Sequence, residues 1–340
     1  MKIGVTGAAG LIGSWIVEEC LSQGHTIVSI DNMIGGYRDS IIQHENHKFF
    51  ECDITKVENI DFIASLISGC DIIYHCAALA HEGFSVFAPS SITNSVFTGT
   101  VVMATAAIKS NVKRFINCSS MSRYGDSISP FTEKTPPKPV DPYAHSKVAA
   151  EEQLNMLGRM HNMEVIHTVP HNVIGPRQRY TDPYRNVVSI MTNLMLQGRQ
   201  PIIYGNGKQT RCFSMIQDDV GIYMKLMNHD IREHGELFNI GPDDREISII
   251  DLARIIAKEI NFDLKPNFQL ARPYEVERAI CSSDKIRKVF GFEPSMTLED
   301  GIKSIITYVR ARGPQPFDYH IKMEIDNKEN SPKTWKEKLF

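Results

Sequence analysis

The chain has 340 residues, of which 42% are hydrophobic and 23% charged, and its net charge is −3. This length exceeds one typical hydrophobic core, so we expect one large α/β domain or a large domain with a smaller one. The nearly balanced charge argues against a nucleic-acid or membrane-surface partner, and neither is predicted.

The seven cysteines occur singly and form no C-x-x-C pair. An odd number without paired spacing argues against a disulfide framework and predicts a reducing, cytoplasmic location. No metal site is predicted. The N-terminus starts with a strand pattern rather than a targeting segment, and no apolar run reaches the roughly 18 residues that span a bilayer. We therefore expect a soluble, unexported protein.

The N-terminal segment has the pattern of a strand, a glycine turn and a helix. The strand is Lys2–Thr6 and the helix runs from Leu11 to about Ser22. In such turns one glycine bends the chain, one admits a pyrophosphate to the backbone, and one allows close helix packing. The helix N-terminus then directs its N–H groups at the phosphates. The predicted cofactor contacts here are Gly7, Gly10, Leu11, Ile12 and Gly13.

An acidic residue follows the second strand, Thr26–Ile30, and lies 24 residues beyond Gly7. This residue, Asp31, is placed to accept hydrogen bonds from the adenosine ribose, and Asn32 belongs to the same predicted contact. A carboxylate there repels the 2′-phosphate of NADP, so the pattern predicts NAD. The alternative is that Arg38, in the next glycine loop, holds a 2′-phosphate.

The strand and helix alternation continues through the first half of the chain. Further strands are predicted at 48–54, 71–78, 115–120 and 164–169, with a long helix at 85–110. This alternation is typical of an α/β protein with a parallel sheet and crossover helices.

The alternation loosens from about Asn172, which suggests a division of the chain. We predict an NAD-binding domain at 1–171, a mainly substrate-binding domain at 172–312 with some segments returning to the first, and an extension at 313–340. The extension is polar, contains prolines and lacks periodicity. It is therefore expected to wrap the surface or a partner subunit rather than form core.

Two further strand ends are predicted to border the cofactor. Asp53 and Ile54 close the third strand and would lie beside an adenine ring, although Asp53 as a helix cap explains the sequence equally well. Ala77 and Ala78 end the fourth strand, where small side chains allow a flat ligand to approach.

A tyrosine and a lysine lie one turn apart on the helix that begins near Asp141. Tyr143 and Lys147 share a helix face, and the lysine cation stabilises a phenolate beside it. Tyr143 is therefore the predicted general base, and it also contacts the cofactor together with Lys147. Ser120, at the carboxyl end of the fifth strand, would hold the same substrate oxygen.

The chain resembles the extended short-chain dehydrogenases/reductases, specifically the nucleotide-sugar epimerase/dehydratase family, over about residues 1–312. The matching motifs are Thr6–Gly13, His75–Ala78, Cys118–Ser120 with Tyr124–Asp126, Tyr143 with Lys147, Asn172–Gln178, Tyr204–Arg211, Phe238–Gly241 and Arg272–Val276. The resemblance implies a Rossmann doubly wound parallel sheet, a smaller C-terminal α/β substrate domain, an active site between them, and a homodimer formed by pairing two helices from each subunit.

The resemblance also implies which residues bind the substrate, with a UDP-sugar favoured. Asn172, Arg211 and Arg272 would meet the diphosphate, and guanidinium groups suit phosphate geometry. A small residue at Ala279 would leave room for an N-acetyl group at carbon 2. The remaining predicted substrate contacts are Ser120, Met121, Ser122 and Tyr143.

Members of this family begin by oxidising a sugar hydroxyl, and neighbouring residues decide the later steps of the reaction. Dehydratases and decarboxylases usually keep carboxylates just after the catalytic serine, where this chain has Met121, Ser122 and Arg123. The resemblance therefore favours a carbon-4 epimerase that retains its NAD. The predicted substrates are UDP-N-acetylglucosamine/UDP-N-acetylgalactosamine or UDP-glucose/UDP-galactose.

Three alternatives remain open on the sequence alone. Arg123 and Arg185 are compatible with a UDP-uronic acid, a dehydratase or decarboxylase is not excluded, and a noncatalytic NAD sensor would share the fold. Two departures from the family pattern also stand out. The usual helix asparagine aligns with Val96, two residues after Asn94, and His171 replaces an arginine, either as a packed residue or as a substrate contact.

Overall fold

The computed structural model describes residues 1–231, 233–272, 276–326 and 331–340. Seven parallel strands form its central sheet. They are β1 (Lys2–Thr6), β2 (Thr26–Asp31), β3 (His47–Glu51), β4 (Ile72–His75), β5 (Arg114–Cys118), β6 (Glu164–Pro170) and β11 (Glu236–Ile240). Their order across the sheet is β3-β2-β1-β4-β5-β6-β11.

Smaller sheets carry the remaining strands. They are β7 (Val173–Ile174), β8 (Ile202–Tyr204), β9 (Thr210–Cys212), β10 (Ser214–Met215), β12 (Glu246–Ser248), β13 (Asn267–Gln269) and β14 (Arg278–Ala279). The helices are α1 (Leu11–Ser22), α2 (Ile60–Leu66), α3 (Pro89–Thr93), α4 (Gly99–Lys109), α5 (Pro142–His161), α6 (Val187–Leu196), α7 (Ile216–Leu226), α8 (Ile249–Ile260), α9 (Asp284–Phe290), α10 (Leu298–Arg312) and α11 (Lys333–Lys336).

Helices cover both faces of the main sheet, which explains why its strands are continuous apolar runs. One hydrophobic cluster joins α1 and α7 to the sheet, and another joins α2, α4 and α5 to its opposite face. The strand order reverses between β1 and β4, and ligands bind at such a reversal in doubly wound sheets. The predicted α/β fold with a Rossmann sheet is confirmed.

The first half of the chain follows the sequence prediction with shorter elements. Helix α1 has the predicted bounds, but β3 ends at Glu51 and β4 at His75. The predicted long helix begins at Pro89 and contains a π turn at Asn94–Thr98 between α3 and α4. Strand β11 comes from the predicted substrate region and completes the main sheet, as expected for a returning segment.

Helices α6, α8 and α10 form a third hydrophobic cluster with the short strands beyond residue 172. The sequence of α10 explains why this helix packs into the cluster. Its apolar residues recur at helical spacing and are buried, namely Leu298, Ile302, Ile305 and Val309. Strand β9 pairs with β14 and places Ala279 opposite Arg211. This unit therefore forms the wall that faces the carboxyl edge of the main sheet.

The C-terminal extension contributes core, and the prediction that it would not is wrong. Ile321, Trp335 and Phe340 are buried in the same hydrophobic cluster as Tyr143. Large apolar side chains spaced far apart among polar residues produce no periodic pattern, yet each fills a separate gap in the fold. The extension thus contributes to the hydrophobic core beside Tyr143.

The helix Pro89–Lys109 is 21 residues long and has a mean hydropathy of 1.3. By length and composition alone, it is long and apolar enough to cross a membrane. The expectation that no apolar segment reaches this length is therefore wrong. Half of its most apolar window is buried inside the protein. A core helix covered by other elements can have the same length and hydropathy, so this feature is weak evidence for a membrane span.

Candidate active site

A cavity of about 480 Å³ lies between the carboxyl edge of the main sheet and the smaller sheets. The glycine turn, the ends of β4 and β5, the start of α5, the strands β9 and β14 and the C-terminal extension all contribute to its wall. Almost every residue predicted from the sequence to bind cofactor or substrate lines it. The exception is Asp53.

The glycine turn forms one end of this cavity and is shaped by close backbone contacts. Gly7 has a φ of +68°, and a Cβ at this position would lie 2.7 Å from the Ala77 nitrogen. A Cβ on Gly13 would overlap the Gly7 carbonyl. Only glycine fits at both positions, and the resulting cradle leaves the N-terminus of α1 open to a diphosphate.

The Asp31 carboxylate is held at the end of β2 by two backbone N–H groups. Its Oδ2 accepts from Ala9 at 3.0 Å and its Oδ1 from Met33 at 2.7 Å. Burial raises the pKa of Asp31, and these two hydrogen bonds oppose that shift. A carboxylate offers about four acceptor sites, so acceptor capacity remains for ribose hydroxyls. Asn32, Leu11 and Ile12 line the same end.

Arg38 lies outside this site. Its Nη2 donates to Glu51 Oε2 at 2.5 Å on the surface, where both side chains are at least half exposed. Arg38 is also not part of the cavity wall. The arrangement therefore favours the acidic NAD pattern over 2′-phosphate binding.

The predicted cofactor contact by Asp53 is not supported. Asp53 Oδ1 accepts hydrogen bonds from the Thr55 nitrogen at 2.9 Å and from Thr55 Oγ1 at 2.8 Å, forming a local turn. The residue is therefore not the cap of a helix either. Cys52, Ile54 and Thr55 line the cavity around it, and so do Ala77 and Ala78 at the end of β4.

Tyr143 and Lys147 lie at the start of α5, as the spacing predicts. Asp141 caps this helix by accepting from the Ala144 nitrogen at 2.9 Å, which fixes its first turn. Lys147 Nζ donates to the Cys118 carbonyl at 2.6 Å and lies 5.8 Å from the centre of the Tyr143 ring. Ser120, Tyr143 and Lys147 all line the cavity. The structure thus assembles the predicted catalytic group.

The electrostatics of this group are set mainly by burial. Burial raises the pKa of Tyr143, whereas the nearby Ser120 hydroxyl and the Arg185 charge oppose that shift. Burial also lowers the pKa of Lys147. Ionisation of the phenol near neutral pH therefore depends on nearby positive charge, which Lys147 and Arg185 supply from the protein.

The predicted substrate contacts lie at the other end of the cavity. Asn172 Nδ2 donates to the Cys212 carbonyl at 2.9 Å, and the Arg272 guanidinium lies 4.7 Å from the centre of the Tyr204 ring. Arg211 and Ala279 are paired in register on the adjacent parallel strands β9 and β14. Met121 and Ser122 follow Ser120 in a short turn, where the Ser122 nitrogen donates to Ser120 Oγ at 3.2 Å. Within the Arg272–Val276 motif, residues 273–275 lie outside the described residues.

Arg123 does not reach the cavity, so its suggested role in binding a uronic acid is wrong. Its guanidinium is buried, and Nη2 donates to Glu151 Oε2 at 2.9 Å while Nε contacts both Glu151 oxygens. The neighbouring Ser119 hydroxyl donates to the same carboxylate. Arg185, by contrast, lines the cavity.

The two departures from the family pattern have structural explanations. His171 is a packed residue, since it is fully buried and its Nε2 hydrogen-bonds to the Pro242 carbonyl at 2.7 Å. Neither Val96 nor Asn94 faces the cavity, but Ser95 between them does. The π turn at Asn94–Thr98 changes the residue spacing along this helix, and Ser95 is the residue of this turn that lines the cavity.

Sequence reasoning missed several residues of the wall, because they belong to no recognised motif. Tyr184 stacks on Phe84 with ring centres 4.0 Å apart, and Trp335 packs edge-on against Phe84 at 5.3 Å. Trp335 is one of only two tryptophans, which is the one signal the sequence offers. The missed wall residues include His81, Glu82, Ser95, Asp182, Tyr184, Pro332, Trp335 and Phe340.

Known proteins share this sequence pattern and geometry. The model of the NAD dependent epimerase/dehydratase family matches residues 3–241. A UDP-glucose 4-epimerase from Mycolicibacterium smegmatis is 32% identical over 317 residues, which covers 91% of this chain and 99% of that relative.

Two solved structures also resemble the chain over nearly its whole length. The UDP-glucose 4-epimerase of Thermotoga maritima with UDP-glucose is 30% identical, with a TM-score of 0.83, and covers 92% of this chain and 99% of its own. The UDP-glucuronic acid 4-epimerase of Bacillus cereus with UDP-glucuronic acid and NAD is 25% identical, with a TM-score of 0.84, and covers 92% of this chain and 100% of its own.

Proposed function

This chain belongs to the NAD-dependent epimerase/dehydratase family, and on that basis we propose that it inverts carbon 4 of a nucleotide sugar. The cofactor is NAD, and the glycine cradle with Asp31 fits it. The proposal rests above all on the placement of Ser120, Tyr143 and Lys147 together in the wall of one cavity with that cradle.

Tyr143 moves the proton in this reaction. Its phenolate accepts the proton of the sugar 4-hydroxyl, and Ser120 holds the same oxygen by a hydrogen bond. The Lys147 ammonium stabilises the phenolate through its charge and is oriented by the Cys118 carbonyl. Held by the glycine cradle and Asp31, NAD would supply a reversible hydride acceptor for carbon 4. Inversion then requires only that the 4-keto sugar turn within the cavity before it is reduced.

The residues after Ser120 favour an epimerase over a dehydratase. Elimination of water needs an additional acid and base, and Met121, Ser122 and Arg123 supply no carboxylate. Glu82 is a carboxylate that could supply such a group, because it lines the cavity and its charge raises the pKa of Tyr143. The functional test must therefore include detection of water loss.

We favour UDP-N-acetylglucosamine and UDP-N-acetylgalactosamine as substrates, with UDP-glucose and UDP-galactose as the simpler pair. Ala279 lines the cavity and is paired in register with Arg211, the proposed diphosphate contact. Because its side chain is small, it would leave space there for an N-acetyl group. Replacing Ala279 with Tyr should abolish turnover of N-acetylated substrates and spare UDP-glucose. Equal turnover of N-acetylated substrates by Ala279→Tyr would contradict this assignment.

A second candidate substrate is a UDP-uronic acid, and Arg185 is the observation that favours it. Arg185 lines the cavity, its charge lowers the pKa of Tyr143, and it has no hydrogen bond or ion pair within the described part of the chain. A guanidinium in that position suits a carboxylate at carbon 5. Arg185→Met should then raise KM for the uronic acid far more than for UDP-glucose.

The experiment is to incubate the purified protein with a panel of UDP-, dTDP-, GDP- and CDP-sugars without added NAD, and to identify products by NMR. Interconversion of carbon-4 epimers without net oxidation supports the proposal. Loss of water indicates a dehydratase, and loss of carbon dioxide indicates a decarboxylase. Retained nucleotide with no turnover of any sugar supports a noncatalytic NAD sensor instead.

The predicted homodimer and cytoplasmic location remain proposals. Helix α5 leaves Met156 and Met160 exposed, at 53% and 74%, which is compatible with a helix-pairing interface. Sedimentation velocity should give a dimer mass, and Met160→Glu should shift the protein toward monomer. A monomer mass for the unmodified protein would contradict the proposal.

A further inference from the structure

Three potential metal ligands meet beside the cavity although they are far apart in the sequence. His81 follows β4, Asp182 precedes α6, and His320 belongs to the C-terminal extension. One nitrogen or oxygen from each lies within 4.8 Å of the others. His81 and Asp182 are both 2% exposed and line the cavity.

His320 is oriented as a ligand rather than as a donor. Its Nδ1 hydrogen-bonds to the Asp318 carbonyl at 3.0 Å, and because a carbonyl only accepts, Nδ1 carries the proton. In the neutral ring, Nε2 therefore presents a lone pair. This atom is buried and has no hydrogen-bond partner among the described residues, and the side chain is only 10% exposed.

The atom that His320 faces is also an acceptor. Asp182 Oδ2 lies 3.9 Å from His320 Nε2, and the Asp182 side chain is 3% exposed. Asp182 is held in place because its Oδ1 accepts from the Tyr184 nitrogen at 2.8 Å, while Oδ2 lies 2.7 Å from His81 Nε2. A carboxylate and a buried lone pair repel each other unless a cation or a proton lies between them.

We propose that His81, Asp182 and His320 bind a divalent cation of the zinc class. Two imidazoles and one carboxylate are a ligand set that zinc accepts, and Asp182 supplies a neutralising charge. Tetrahedral ligands at about 2.0–2.1 Å from zinc lie roughly 3.3 Å apart. The His81 and Asp182 atoms would therefore separate slightly from 2.7 Å, and His320 would move inward from 3.9 Å.

The cation would fasten the C-terminal extension to the wall of the cavity. Other contacts already join the same two segments, since Tyr184 donates from its hydroxyl to the Ile321 carbonyl at 2.9 Å and Trp335 Nε1 donates to the Pro183 carbonyl at 3.1 Å. Neither contact involves the Nε2 atom of His320. The metal adds the missing link, and this role does not depend on which sugar the enzyme uses.

The test uses the full-length protein, first treated with a chelator and then titrated with zinc. Bound metal is measured by mass spectrometry after gel filtration, and the state of the extension by the rate of limited proteolysis within 313–340. The variants are His320→Ala and Asp182→Asn, with His161→Ala as the control because His161 is exposed at the end of α5.

We expect the unmodified protein and His161→Ala to retain an equimolar amount of zinc, and the other two variants to lose it. Zinc should raise Tm and slow cleavage of the extension only in the proteins that retain it. The proposal is overturned if the unmodified protein holds no more zinc than His320→Ala, because a shared proton would then explain the facing acceptors. If a variant fails to fold, the unmodified protein with and without zinc decides the question.

Discussion

The two ends of the cavity are built in different ways. The nucleotide end is centred on the first 32 residues, where the backbone of one turn and the Asp31 carboxylate form the site, and the ends of the next two strands complete its wall. The substrate end combines Tyr184, Arg272 and Trp335, which come from distant parts of the chain. A site made from consecutive backbone can be recognised in the sequence, whereas a site made by tertiary packing needs the structure.

The largest expected effect is at Tyr143, where the two ends meet. Tyr143→Phe removes the hydroxyl that we propose moves the proton, so kcat should fall by about 10²–10⁴-fold. Bound NAD and the circular dichroism spectrum should change little, because the glycine cradle and Asp31 keep their contacts with the cofactor. Tyr308→Phe, whose hydroxyl lies outside the cavity, is the control. Equal activity of the two variants would exclude Tyr143 as the base.

Trp335→Ala should separate the substrate end from the nucleotide end. The indole is 5% exposed and packs against Phe84, so truncation should lower the free energy of unfolding by about 3–5 kcal/mol. KM for the sugar nucleotide should rise while the NAD content stays constant. Phe62→Ala, at a position 51% exposed, should show neither change. Loss of NAD from Trp335→Ala would mean that the two ends are coupled.

Arg123 tests whether a buried arginine near the site is structural. Arg123→Met leaves the Glu151 carboxylate buried without its partner, which should cost about 3–5 kcal/mol of folding stability with no change in KM. Arg38→Met breaks an exposed pair with Glu51 and should cost at most about 1 kcal/mol. Thermal unfolding of both variants gives the comparison. A raised KM in Arg123→Met would return this residue to the substrate site.

Asp31→Asn should affect only the nucleotide end. Hydrogen bonds to a charged group contribute about 1.5–3 kcal/mol, so NAD affinity should fall roughly 10- to 100-fold and discrimination against NADP should relax. Asp53→Asn is the matched control, because Asp53 is outside the cavity wall. Equilibrium dialysis measures both. If Asp53→Asn weakens NAD binding as much as Asp31→Asn does, the assignment of this end is wrong.

Lys147→Met should displace the pH profile of the reaction. Rate should rise with pH as the Tyr143 phenol ionises, and removing the lysine charge raises the pKa of that phenol. The acidic limb of kcat/KM should therefore move to higher pH by about one to two units. Lys147→Arg keeps the charge and should keep the limb in place. An unmoved limb in Lys147→Met would show that Arg185 controls the phenol instead.

These differences explain how far the sequence could be interpreted. The strands, the glycine turn and the Tyr143 and Lys147 pair were predictable because each depends on local spacing. Ser95 was missed because a π turn changes the spacing on its helix. Asp53 was misplaced because β3 ends two residues before it and a local turn engages its carboxylate.

The C-terminal extension shows the limit most clearly. Trp335 and Phe340 lie among polar residues, so no pattern predicts that they are buried near Tyr143. His81, Asp182 and His320 are separated by 101 and 138 residues, and no metal-ligand spacing exists to find. Only the packing of the extension against Tyr184 brings these groups together.

The most direct test of the account follows the hydride. A UDP-sugar that carries deuterium at carbon 4 is incubated with the protein in ordinary water without added NAD, and both epimers are examined by NMR and mass spectrometry. The inverted epimer should keep its deuterium at carbon 4, because the hydride that leaves is the one returned. Loss of deuterium to the solvent would contradict carbon-4 inversion. So would a product formed by elimination of water or carbon dioxide from the sugar.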